Sequence, residues 1–134
     1  MRIVLIGLLV NCFSLVLTAQ AQREFTMTEG DTSYTMKRYV FVFLNAGPQR
    51  DQDSTTVSMI QEQHLAHLNT LVESGKLVVA GPFQDGEQYR GILIFDVDSI
   101  AEALQLEGED PAVKSGRLEM KALHWWGAKG TVLP

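Results

Sequence analysis

Apolar and polar positions fall into blocks along the chain, and the lengths of the blocks predict the elements. Ile3 to Leu17 is apolar apart from Asn11 and Ser14, while Gln22 to about Ser33 is polar and reads as a mobile lead-in around Glu29-Gly30-Asp31. From Tyr39 to Leu44 every residue is apolar. Tyr39, Phe41 and Phe43 point one way and Val40, Val42 and Leu44 the other, which predicts a strand covered on both faces. Asn45-Ala46-Gly47-Pro48 stops it, and a polar loop runs from Gln49 to Ser54. The spacing of Val57, Ile60, Leu65, Leu68, Leu71 and Val72 then predicts an amphipathic helix from about Thr55 to Glu73. Ser54 or Thr55 is its expected cap, and Ser74-Gly75 its stop.

A short strand, Leu77 to Ala80, is expected to end at Gly81-Pro82, and Asp85-Gly86 marks the turn that follows. Gly91 to Val97 reads as another strand with two apolar faces. Ser99 caps a shorter helix to about Leu106, with Ile100, Ala103 and Leu104 inward. Gly108-Glu109-Asp110-Pro111 breaks that helix, a turn runs to Ser115-Gly116, and Leu118 to Trp126 is the last strand. The order is that of an α+β, ferredoxin-like βαββαβ domain: a four-stranded antiparallel sheet with two helices on one face. Strands apolar on both faces leave the open side needing a cover. The simplest cover is a second copy packed sheet to sheet, so a homodimer is expected.

The first block changes the picture of location. Met1-Arg2, the apolar run and Ala19-Gln20-Ala21 together read as a signal peptide, residues 1–21, and hence as an exported protein, periplasmic or extracellular. A membrane anchor fits less well, because the run is short and carries a polar residue midway. A lipoprotein reading would use Cys12, but Asn11 precedes it poorly and the apolar run continues past it. Cys12 is the sole cysteine, so cleavage after Ala21 would leave no disulfide, thiolate nucleophile or Cys-based metal site. The expected layout is a lead-in over 22–36, a domain over 37–127 and a tail over 128–134. The formal net charge of −5 would fall further on cleavage, since the removed segment carries Arg2 and no acid. Neither nucleic acid nor, after cleavage, a membrane surface is an expected partner of such a domain.

Few residues carry chemistry. His64 sits within the apolar arc of the long helix beside Ile60, Leu68 and Leu71, where it is either a hydrogen-bonded core histidine or a functional group. His67 lies at the edge of the same arc and reads as a half-exposed helix residue. Asp110 is either an ordinary Asp-Pro helix end or a partner reaching the first helix. His64 and His67 with Asp110 would supply two imidazoles and a carboxylate, but no third helical ligand repeats the spacing, so neither metal nor haem is expected. Trp125 and Trp126 alternate across the last strand, one of them facing the core or a dimer seam. Arg90 and Arg117 read as solvated charges at strand ends, with neutralisation of an anionic ligand as the other reading.

Several short motifs resemble the YCII-related family. In the first half they are Glu62-Gln63-His64-Leu65-Ala66 with Leu68 and Leu71, then Gly75-Lys76-Leu77, then Ala80-Gly81-Pro82-Phe83. In the second half they are Arg90-Gly91-Ile92, Phe95-Asp96, Asp110-Pro111-Ala112-Val113 and Gly116-Arg117-Leu118. The resemblance covers about Tyr39 to Trp126. It implies a dimeric α+β barrel with a pocket between helices and sheet, and a His–Asp pair falling on His64 and Asp110 as the catalytic residues. A carboxylate on one ring nitrogen would fix the tautomer and leave the other nitrogen to move a proton. With no Ser or Cys nucleophile beside the pair, the expected chemistry is isomerisation or lyase-type elimination on a small cyclic or aromatic molecule. The other reading is a non-catalytic domain that binds a small ligand or serves as a structural accessory. An open pocket at His64, with Asp110 behind it, would favour chemistry.

Overall fold

The computed structural model describes residues 22–132; the expected signal peptide lies outside the described residues. The strands are β1 (Glu24–Glu29), β2 (Thr32–Ala46), β3 (Leu77–Pro82), β4 (Tyr89–Phe95) and β5 (Leu118–Ala128). The helices are α1 (Ser54–Glu73), α2 (Ile100–Glu107) and the short α3 (Pro111–Lys114). All pairings are antiparallel. β5 and β4 both pair with the Val40–Asn45 stretch of β2, and β3 pairs with β4. One strand cannot share an edge with two others, so the order across the sheet is β5-β2-β4-β3. With helices on one face, this is the expected α+β ferredoxin-like fold.

Alternation puts Val40, Val42 and Leu44 of β2 against the helices with Leu93 and Phe95 of β4. Leu71, Leu77, Val97 and Ala103 complete this core. The opposite face carries the other half of the apolar set. Tyr39 lies 5.9 Å from the ring of Trp125, Phe41 lies 4.9 Å from Phe43, and Phe43 lies 5.7 Å from Tyr89. Leu123 and Trp125 are exposed on that face. Trp126 points the other way, edge-on to Phe25 at 4.9 Å.

Three expectations need correction. The lead-in is not a free segment: β1 and the start of β2 form a hairpin, closed at Gly30, whose φ of 58° a missing Cβ permits. Phe25 and Met27 alternate with threonines, which suits an edge strand without burying a face. The hairpin is clipped to the domain by Arg23 and Lys37, which grip Asp96 at 2.5 and 2.6 Å. Burial alone would raise the Asp96 carboxyl, but these bonds hold it below the usual range. The tail begins later than expected, because β5 runs to Ala128 and the Lys129 N–H still donates to Thr35. The cap of α1 is Asp53, whose carboxylate accepts from the N–H groups of Thr55 and Thr56. Toward the margins of the helical arc, Leu65 and Val72 are exposed.

Candidate active site

His64 is placed by α1, one of three residues of that helix that are buried, with Ile60 and Leu71. The helical period that buries Ile60 also turns position 64 inward. Asp110 is placed by a chain break. Gly108 ends α2, Pro111 is suited to the first helical position, and Asp110 between them caps α3. One carboxylate oxygen, Oδ1, accepts from the Ala112 N–H at 2.7 Å. The other, Oδ2, meets His64 Nδ1 at 2.5 Å. Asp110 is fully buried and His64 nearly so. Burial works against a charge on Asp110. The bonds from His64 and the Ala112 N–H outweigh it and hold this carboxyl below its ordinary value.

Behind the pair lies a residue that the sequence reading did not single out. Glu107 is fully buried at the end of α2, and neither of its carboxyl oxygens has a hydrogen-bond partner among the described residues. Burial first, and then the adjacent Asp110 carboxylate, push it up to about 9, so at neutral pH it is an uncharged acid. A signal was available, since Ile100, Ala103, Leu104 and Glu107 keep the i, i+3, i+4, i+7 spacing of one helix face. His67 Nε2 approaches Glu107 at 3.8 Å, beyond hydrogen-bond reach, and is itself without a partner among the described residues.

His64, Glu107 and Asp110 each offer a donor atom within 4.8 Å of the others. Helical spacing pairs His64 with His67, but the fold brings Glu107 to His64 and Asp110 instead. A cation here would have to displace the His64–Asp110 hydrogen bond and strip the proton from Glu107. These donors suit proton sharing better than metal binding.

His64 opens onto a pocket of about 330 Å³, whereas Asp110 and Glu107 are not among its lining residues. Ile60, Gln61, Leu65 and Leu68 form the α1 wall, and Ala80 to Pro82 with Gly91 to Leu93 form the sheet wall. Leu44, Ala112 and Leu118 add further apolar surface, and Arg50, Arg90 and Arg117 also line the pocket. Arg50 and Arg117 are held at one end by backbone fit. The Gly47 N–H donates to Arg117 O, and a Cβ on Gly47 would stand 2.2 Å from Gly116 O. Gly116 itself takes a φ of 70° to make the approach. The lining is therefore mostly apolar, with one imidazole, one carboxamide and three guanidinium groups set into it.

The YCII-related domain matches residues 39–126. A similar solved structure is the 5-chloro-2-hydroxyhydroquinone dehydrochlorinase TftG from Burkholderia phenoliruptrix AC1100, in complex with 2,5-dihydroxybenzoquinone. It is 20% identical, covers 64% of this chain and 90% of its own, and has a TM-score of 0.46. No curated protein matches the chain.

Proposed function

The chain belongs to the YCII-related domain family, and from its pocket we propose that it transfers protons to and from carbon on a small cyclic or aromatic molecule, as an isomerase or lyase. The observation that carries this reading is the His64–Asp110 contact at the wall of an open, mostly apolar pocket. Asp110, kept ionised, accepts the hydrogen bond from Nδ1–H and so fixes the ring's tautomer and direction. Nε2, the nitrogen it does not engage, is left to take a proton from substrate and return it at another atom. Glu107 supports the arrangement by staying neutral, since a second charge would compete with Asp110 for the His64 ring. The apolar walls favour a flat ring over a sugar or a peptide.

The test is hydrogen exchange into candidate substrates in heavy water. Small cyclic 1,3-diketones and hydroxylated aromatics are incubated with the protein, and deuterium uptake at carbon is followed by NMR. Wild type should accelerate uptake for at least one class, and His64→Ala should lower that rate about 100-fold or more. Equal rates for the two proteins, or no uptake with any compound, would leave a binding protein rather than a catalyst.

The exposed aromatic face supports the proposal of a homodimer, with Phe41, Phe43 and Trp125 buried against their copies. Light scattering should give twice the chain mass at micromolar concentration. Phe41→Asp should return it to the monomer mass; a wild-type monomer would rule the assembly out.

A further inference from the structure

Five of the chain's basic side chains, Arg23, Lys37, Lys76, Lys114 and Lys129, lie against carboxylates. Among the described residues Arg50, Arg90 and Arg117 have no such partner, and all three line the same pocket. Among the described residues each makes one side-chain hydrogen bond, to a neutral oxygen. Arg50 donates to Arg117 O at 3.0 Å, Arg117 to Gln52 Oε1 at 2.8 Å and Arg90 to Gly86 O at 2.9 Å. A guanidinium has five N–H donors, so most of each fork remains for a ligand. The three charges also repel one another. Burial, then Arg117, then Arg90 lower the proton affinity of Arg50. A chain with a net charge of −5 has acids enough to neutralise such a cluster, yet among the described residues none of them lines this pocket.

We propose that Arg50, Arg90 and Arg117 are the anion-binding part of this pocket, and that its substrate is a small planar acid bound as its anion. The proposal rests on the pocket being the substrate site and names the class that enters it. Planar guanidinium forks match a carboxylate or an ionised enol in two-point contact, while the apolar walls take the ring. Fixing the anionic end would present the ring to His64 in one orientation. When a proton leaves carbon, the electron pair it leaves behind can move into the ring and onto oxygen. The same arginines would meet that growing charge.

The probes are benzoate and benzamide, equal in shape and differing in charge, titrated into the full chain and followed by NMR at Ile60, His64 and Ile92. Benzoate should saturate at these positions and bind at least about tenfold tighter than benzamide, the preference shrinking as salt screens it. Arg90→Gln and Arg117→Gln should each weaken benzoate by ~10- to 100-fold and leave benzamide unchanged. Arg90 holds only a loop carbonyl, so its variant keeps the test open if Arg117→Gln misfolds. Benzamide binding as tightly as benzoate, or benzoate failing to saturate at these residues, would overturn the proposal. Binding is read without turnover, so anion selectivity in a protein that exchanges no carbon-bound hydrogen would sink the chemistry and spare this inference.

Discussion

Two buried carboxyl groups stand three positions apart at the junction of α2 and α3, and they have opposite fates. Asp110 and Glu107 are both wholly shielded from solvent. Asp110 receives an imidazole and a backbone N–H and stays ionised below its ordinary value. Glu107 receives neither, and burial beside a neighbouring negative charge carries it up to about 9. Depth alone therefore says nothing about charge. Donors decide it: a carboxylate that finds two can be buried charged, and one that finds none keeps its proton. The pair is coupled in one direction of use, because a neutral Glu107 leaves Asp110 as the sole negative charge acting on His64.

Removing the charged member should do the most damage. Asp110→Ala strands His64 in the core and uncaps α3, for an expected loss of about 3–5 kcal/mol in denaturant unfolding. Whatever carbon exchange the wild type shows should disappear with it. A loss below about 1 kcal/mol would mean that the pair contributes little to the fold, and that the two carboxyl groups are less different than their surroundings suggest.

The neutral member should reveal itself through pH. A folded-state value near 9 means that the native protein holds a proton the unfolded chain releases near 4.5. Between those limits the unfolded state binds fewer protons, so stability falls as pH rises, by up to about 1.4 kcal/mol per unit. Asp110 acts in the opposite sense. Its contribution is present above the ordinary aspartate value and is lost as pH falls through its lowered one. Glu107→Gln keeps the shape and removes the titration. At pH 5 it should match wild type within about 1 kcal/mol, and its advantage should widen steadily toward pH 9. Parallel stability curves for the two proteins would show that Glu107 is ionised in the fold.

This contrast also marks where the sequence could be read and where it could not. Tyr39 to Leu44 and Gly91 to Val97 announce two-sided strands, because alternation and burial leave no other use for so many apolar residues in a row. His64 is conspicuous as one polar residue among Ile60, Leu68 and Leu71. Asp110 is not, since an Asp before Pro ends many helices; the family resemblance, not the spacing, linked it to His64. Glu107 is not conspicuous either, because a glutamate at a helix end is usually solvated, although its periodic position matches Ile100 and Ala103. Arg50 lies in a polar loop with no pattern of its own, and the close approach of Gly47 to Gly116, with the hydrogen bond from Arg50 to Arg117 O, sets it beside Arg117. The hairpin of β1 is not legible in the pattern, because an edge strand held by hydrogen bonds and ion pairs needs no continuous apolar run. Local patterns report burial; they do not report which buried groups meet.

The smallest expected effect concerns His67, which tests whether Glu107 is neutral by burial or by sharing its proton. The His67 Nε2 atom is 3.8 Å from Glu107 Oε2, too far for a hydrogen bond in this arrangement. The upward push on Glu107 comes from burial and from Asp110, not from the ring. His67→Phe fills similar space, keeps the site dry and removes the ring nitrogens. Glu107 should therefore still titrate near 9, followed by its carboxyl carbon signal in NMR, and stability should change by less than about 1 kcal/mol. The His64–Asp110 contact, one helical turn away along α1, should keep its ring-proton signals. If instead Glu107 titrates well away from 9 in this variant, its proton is held between glutamate and imidazole. The two carboxyl groups would then both be histidine-paired, and what separates them would be the distance to the ring rather than the presence of one.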